Sequence, residues 1–296
     1  MTRGYQANKI REKLIDVLHE SKTGLSSIEI SEKLKVNRIT MTKYLKVFAA
    51  EGLVKQKNMG SGNLWFIEEG INYLHFPDDY FQVKNKYGEY VLAGAIKEAH
   101  NILRNSIHSG ASPIRLIIEV IVPTIESVQG SYDNGKIGKS EKNFLDGLIL
   151  SSIHSITMVD EEIDQKKNAV VFSTDPQSFL LAHAASVAFQ VGGWKVSQLG
   201  DMSAAIDVMF DIDLQRFLNK VWLKKQGIMI VVIFSSTEGP IKFFSEAVKS
   251  CKTKFGKALH LVLCSKLTKK AKVDFASDNI ETVLQWCQTV YESSHL

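Results

Sequence analysis

The stretch Asn168 to Gly200, NAVVFSTDPQSFLLAHAASVAFQVGGWKVSQLG, changes character twice and decides the fold class of the larger part of the chain. Ala169-Val170-Val171-Phe172 is a continuous apolar run that reads as a strand, Gln177 to Val191 reads as a helix, and Trp194 to Leu199 as a second strand. Further on, Ile228 to Phe234 places seven apolar residues in a row, the signature of a parallel strand buried on both faces. Leu259 to Leu263 supplies a fourth strand, and helical stretches fall at Leu214 to Lys225, Ile241 to Lys252 and Asn279 to Tyr291. Strands alternating with helices imply an open, doubly wound parallel sheet of flavodoxin-like type, with any ligand at the carboxyl ends of its strands.

Upstream lies a helical region. The pattern predicts one helix from about Tyr87 to Arg104 and a second from Ser112 to about Gln129, with Pro113 in its first turn and Pro123 inside it. A third runs from Lys139 to Met158, and Tyr80 to Lys86 adds a short segment, so the whole reads as a small bundle. Glu68 to Asp79, with Pro77 and a cluster of aromatics, reads as a connector packed against its neighbours.

The first quarter of the chain reads as a winged helix-turn-helix. Ile10 to His19 is a supporting helix, and Ser26 with Glu29 forms a capping box that starts a second. Asn37 caps a third, whose Met41, Leu45 and Phe48 recur on one buried face. Thr42, Lys43 and Lys46 then point outward, and Arg38 and Thr40 sit in the exposed first turn. Leu53 to Lys57 and Asn63 to Ile67 are two strands joined by the turn-forming run Asn58 to Gly62, with Lys55, Lys57 and Asn63 on the hairpin. The run MTKYLKVFAAEGLVKQ, residues 41–56, resembles the ArsR-like and MarR-like winged-helix regulators. That resemblance implies double-stranded DNA as a partner, read by the third helix and the hairpin.

Charge placement agrees with a nucleic-acid surface. Residues 1–70 hold twelve Lys or Arg against eight Asp or Glu, an excess equal to the net charge of +4 for all 296 residues. A basic excess confined to this segment suits phosphate contacts and predicts salt-sensitive binding. Cys251, Cys264 and Cys287 have neither disulfide-framework nor zinc-site spacing. No apolar run reaches the roughly 20 residues of a membrane span, and MTRGYQANKIREK lacks the apolar core of a signal peptide, so a cytoplasmic protein is expected.

Three segments resemble cobalamin-binding modules, which join a helical cap to a Rossmann-like sheet. IVPTIESVQGSYDNGKIGKSEKNF, residues 121–144, is similar to the cap, with Pro123, Val128, Gly135 and Ile137 matching its pattern. VVFSTDPQSFLLAHAASVAFQVGGWKVSQLG, residues 170–200, is similar to the first strand, helix and second strand, and KVDFASDNIETVLQW, residues 272–286, to the C-terminal end. In this family a module joined to a DNA-binding domain is a sensor, as in light-sensing cobalamin-dependent repressors.

The resemblance also marks departures. Counting back from Trp194, the family's lower-ligand histidine falls on Ser178 and its glycine on Leu181. The cap tryptophan falls on Tyr132 and the Glu-His pair on Lys142 and Asn143, while the paired glycines after the fourth strand fall on Cys264-Ser265. Ser235 and Thr237 keep the hydroxyl chemistry after the third strand. An alcohol does not replace an imidazole on cobalt, so no cofactor is expected. The module is expected to sense a ligand or to mediate oligomerisation; a small molecule, if one binds, is expected to be polar and to sit between Tyr132, Lys142 and Asn143 on the cap and Ser173, Ser178, Ser235 and Thr237 at the strand ends.

His183 reads as a surface or packing residue and His154 as a satisfied buried histidine. Trp194, Trp222 and Phe210 read as core, and Lys266 to Lys272 as a solvated basic loop. No Ser-His-Asp, paired-carboxylate or Gly-rich phosphate motif points to an enzyme. The expectation is a multidomain α/β protein: a winged helix over 1–76, a helical cap over 77–165 and a cobalamin-binding-like sensor domain over 166–296. It would be a DNA-binding transcriptional regulator acting as a homodimer or higher homo-oligomer, the rival being a corrinoid or other cofactor-binding protein or photosensor with atypical ligation.

Overall fold

The chain divides into two compact units, one of residues 1–79 with 105–110 and one of residues 80–104 with 111–296. The computed structural model describes residues 7–19, 21, 24–50, 53–59, 62–67, 74, 76–156, 162–207, 209–222, 226–267 and 272–294.

In the first unit, α1 (Ala7–His19), β1 (Leu25–Ser26), α2 (Ser27–Leu34), α3 (Arg38–Ala50), β2 (Lys55–Met59) and β3 (Gly62–Phe66) follow in order. The strands form an antiparallel sheet in the order β1-β3-β2. Helix α2 starts where the capping box closes: the Ser26 hydroxyl accepts the Glu29 N–H at 3.3 Å, and the Ser26 N–H donates to the Glu29 carboxylate at 2.7 Å. It ends at Lys35, which adopts the left-handed conformation with φ 53°. Ile10, Leu14, Leu18, Ile30, Met41, Leu45, Phe48 and Trp65 form one core. The hairpin differs from expectation. Asn58 pairs with Asn63 and Met59 with Gly62, so β2 extends further than expected; Gly60 and Ser61 lie outside the described residues. Leu53 and Val54, read as strand, instead fill the core. Most of the connector at 68–79 also lies outside the described residues.

The second unit opens with α4 (Tyr80–Leu92) and the residues of α5 (Ile96–His108) up to Arg104, and these two helices replace the single helix expected from Tyr87 to Arg104. The break is at Gly94, whose φ of +67° is costly for residues with a Cβ. Next come α6 (Pro113–Leu116), a π-turn (Ile117–Ile121) and α7 (Val122–Asp133), helical throughout. Pro123 accounts for the wide turn: it has no N–H to donate, and its ring would strike a carbonyl one regular turn back. The Val122 N–H reaches back five residues to the Ile117 carbonyl, and the Thr124 hydroxyl donates to the Val120 carbonyl at 2.8 Å. Helix α8 (Lys139–Ile156) follows; Met158, read as its end, is outside the described residues.

Then β4 (Asp164–Ser173), α9 (Phe179–Val191), β5 (Trp194–Asp201), α10 (Phe210–Val221), β6 (Ile228–Phe234), α11 (Glu238–Phe255), β7 (Leu259–Cys264), β8 (Phe275–Ser277) and α12 (Ile280–Ser293) complete the unit. The sheet is parallel in the order β5-β4-β6-β7-β8. Alternating residues of each strand feed opposite faces. Val171, Ile230, Val232 and Val262 pack with Ala185, Phe189 and Val283 of α9 and α12. Phe172, Val231, Ile233 and Leu261 pack with Leu214, Leu218, Phe244 and Val248 of α10 and α11. Trp194, Trp222 and Phe210 belong to these cores as expected. Strand β8 has no counterpart in the sequence reading, because three half-buried residues carry no periodic signal.

Candidate functional site

The strand order reverses between β4 and β6, because β4 pairs with β5 on one side and β6 on the other. Loops leaving such a switch point diverge and leave a crevice at the carboxyl ends of the strands. A cleft of about 610 Å³ lies there. Its floor is the segment after β4 (Gln177, Ser178), the segment after β6 (Ser235, Ser236), and Cys264, Ser265 and Lys266 at the end of β7. Asp278, Asn279, Ile280 and Glu281 at the start of α12 form one wall, and Ile118, Val122, Pro123, Ile125, Glu126, Gln129, Gly130 and Asp133 of the proline-containing helix form another.

Asp175 organises the floor. Its buried carboxylate accepts the Ser178 N–H at 2.8 Å through one oxygen, and the Ser236 N–H at 2.7 Å and Ser235 hydroxyl at 3.3 Å through the other. The Thr174 hydroxyl donates to Ser235 Oγ at 2.6 Å. These bonds join the segments following two adjacent strands and satisfy donors that burial would otherwise leave costly. The sequence reading missed Asp175; its signal is an Asp-Pro pair directly after a strand. At α12, the Asn279 side chain caps the helix by accepting the Thr282 N–H at 3.1 Å.

Of the seven expected ligand residues, Ser178 and Ser235 line the cleft and five do not. Ser173 is buried and donates to the Gly200 carbonyl at 3.3 Å, closing β4 against β5. Thr237 is exposed at the start of α11, where its N–H donates to Ser235 Oγ. Tyr132, Lys142 and Asn143 lie off the cleft: Lys142 pairs with Asp146 at 2.5 Å and stands 6.0 Å from the Tyr132 ring centre. Helical spacing explains the correction. Glu126, Gln129, Gly130 and Asp133 recur at i, i+3, i+4 and i+7 and share the face lining the cleft, while Tyr132 points roughly 110° away. Lys266, read as part of a solvated loop, is exposed and lines the cleft; residues 268–271 lie outside the described residues.

The thiols are inert at neutral pH. Burial, reinforced by the Asp278 carboxylate, pushes the Cys264 thiol up to about 12, and burial with Asp211 pushes Cys251 up to about 11. Cys287 is raised in the same direction by burial.

The lining residues contain no imidazole. His183 lies 4.3 Å from Phe179 between ring centres and 5.9 Å from His154, and both histidines lie outside the cleft lining. His154 is exposed, a correction to its reading as buried: Ile153 and Ile156 face inward on α8 and His154 faces out. Among the described residues, no group of three or more His, Cys, Asp or Glu could hold a metal ion. With Ser178 at the expected ligand position and Leu181 in the lining, these residues do not fit a cobalamin held by a lower imidazole.

In the first unit, Arg38, Lys43, Lys46, Lys55, Lys57 and Asn63 are exposed, and Thr40 and Thr42 half-buried. The Asn37 side chain accepts the Ile39 N–H at 2.9 Å and fixes the start of α3. The Thr42 hydroxyl donates to the Arg38 carbonyl at 2.9 Å, leaving its oxygen as an acceptor. No helix among the described residues is long and apolar enough to cross a membrane.

No family model and no curated protein sequence matches the chain. Solved structures do. The monomethylamine corrinoid protein of Methanosarcina barkeri is similar with a TM-score of 0.56 at 10% identity, over 71% of this chain and 99% of that one. A methanol:cobalamin methyltransferase complex from the same organism matches at 12% identity and TM-score 0.36, over 73% of this chain and 86% of that one. A cobalamin-binding protein of Desulfitobacterium hafniense matches at 11% identity and TM-score 0.36, over 69% and 97%. Over that 71% of the chain the first likeness shows an α/β fold shared with the corrinoid protein.

Proposed function

We propose that the protein is a DNA-binding transcriptional regulator whose first unit is a winged helix and whose second unit, a cobalamin-module fold with a rebuilt cleft, senses a small effector. The observation that carries this reading is the basic surface of the first unit. Helix α3 turns Arg38, Lys43 and Lys46 to solvent, and the adjoining hairpin presents Lys55 and Lys57. An exposed helix fits the major groove, and a basic hairpin beside it suits the backbone. The effector acts by population shift, favouring one arrangement of the second unit and thereby the spacing of two winged helices in a homodimer. The reading assigns binding, not catalysis, to the cleft.

The test is selection of bound duplexes from a random pool, followed by affinity at several salt concentrations and light scattering of the complex. Enrichment of an inverted repeat, a steep salt slope and a dimer are expected. A protein that retains no duplex at low salt sinks the reading.

The fold likeness supports a second reading more directly: a corrinoid-binding protein with atypical ligation. Titration with adenosyl- and methylcobalamin in the dark separates the two. Stoichiometric tight binding favours the second reading, and loss of the corrinoid on desalting favours the first.

A further inference from the structure

The effector reading leaves open what the cleft selects, and its lining carries a chemical answer. Among the described residues, four carboxylates line it, Glu126, Asp133, Asp278 and Glu281, against one cation, Lys266. Asp278 and Glu281 stand at the amino end of α12, where negative charge also stabilises the helix. The other two have no such account. Asp133 is the last residue of α7, the end where a carboxylate opposes the helix dipole, and one of its oxygens accepts the Gln129 side-chain amide at 2.7 Å; Glu126 is an exposed side chain in the middle of that helix.

A second observation points into the same space. Ser178 is 6% exposed and lines the cleft, and its backbone N–H is taken by Asp175. Its hydroxyl has no partner among the described residues. A nearly buried hydroxyl without a protein partner is completed by whatever occupies the cavity. Val122, Pro123, Ile125 and Phe234 supply an apolar side to that cavity, and its volume suits a small molecule.

Resting on the reading of the cleft as an effector site, we propose that it takes a small organic cation. The ammonium head faces the carboxylates of α7 and the start of α12, the apolar body lies against the proline-containing helix, and Ser178 completes the hydrogen bonding. A phosphate or carboxylate ligand is disfavoured by the same four charges.

Calorimetry on the full chain with 4-phenylbutylammonium, 4-phenylbutanol and 4-phenylbutyrate tests this, because the three share one apolar body and differ in head charge. The ammonium is expected to bind about tenfold tighter than the alcohol, with the carboxylate weakest and added salt reducing only the ammonium's advantage. Glu126→Gln with Asp133→Asn changes exposed side chains alone and is expected to bring ammonium and alcohol within roughly threefold of each other. Ser178→Leu, checked for folding by circular dichroism, fills the cleft and abolishes binding of all three. Tightest binding by the carboxylate, or a preference unchanged in the double variant, overturns the cation while leaving the effector site standing. Failure of all three to bind at millimolar concentration, or binding that survives Ser178→Leu, overturns the cleft as their site and removes the effector part of the regulator reading with it.

Discussion

The Asp175 carboxylate accepts the Ser236 backbone N–H at 2.7 Å, tying the segment that leaves β4 to the segment that leaves β6. One side chain thereby sets the separation of the two loops at the strand-order reversal, and Ser178 and Ser235 hang from the same carboxylate. Replacing Asp175 by Ala leaves the Ser178 and Ser236 N–H groups without their acceptor, while the Ser235 hydroxyl keeps the Thr237 carbonyl at 3.0 Å, and a loss of about 1–3 kcal/mol is expected. Urea denaturation measures it, and an unchanged midpoint would show that water replaces the carboxylate at no cost.

On α3, Arg38→Ala and Lys43→Ala are expected to weaken duplex binding by about 1–3 kcal/mol where the residue reads a base, and by less where it only touches phosphate. Lys55→Ala with Lys57→Ala acts on the backbone contacts, so the slope of affinity against salt flattens while sequence preference persists. Fluorescence anisotropy on one duplex and a scrambled control distinguishes the two patterns.

Gly227 precedes β6 with φ +69°, and a Cβ there would stand 2.0 Å from the Lys166 carbonyl oxygen. Neither backbone can retreat without breaking the β4–β6 ladder. Gly227→Ala is therefore expected to cost about 3 kcal/mol or more, from the clash and the strained dihedral together. The readout is the thermal midpoint; a shift of a degree or less would contradict the close approach.

His183 titrates below its usual value chiefly because burial disfavours the imidazolium, with a smaller push from His154, and the Phe179 carbonyl opposes the shift. The folded chain thus binds this proton less readily than the unfolded chain. The resulting stability is present above the unfolded value near 6.5 and lost as the pH falls through it toward the folded value. The urea midpoint should drop between pH 7.5 and 5.5, and His183→Gln should reduce that drop. His260 is shifted the same way by burial, so part of the decline persists in the variant.

Legibility followed the strength of the local pattern. Seven apolar residues from Ile228 to Phe234 have no amphipathic alternative, and all seven are buried in the centre of the sheet. That Ser178 and Ser235 line the cleft was legible because strand ends at a switch point are fixed by topology. The cap side was not. A count by family spacing led to Tyr132, Lys142 and Asn143, whereas the face presented to the cleft depends on a widened turn upstream. His154 illustrates a different limit. Its isoleucine neighbours suggested burial, but adjacent positions on a helix point about 100° apart, and the stripe Leu145, Leu148, Ile149, Ser152, Ile153 and Ile156 leaves it outside.

The π-turn at Ile117–Ile121 acts as a phase offset in the protein's main rod of helix. Everything after it is rotated relative to a regular helix drawn from Pro113, so Glu126 and Asp133 face the strand ends by virtue of one extra residue in a single turn. Deleting one residue there would leave the composition of the wall almost untouched and turn its carboxylates by about 100°. Ligand preference could therefore be rewritten by a change in length, with no substitution among the residues that line the cleft.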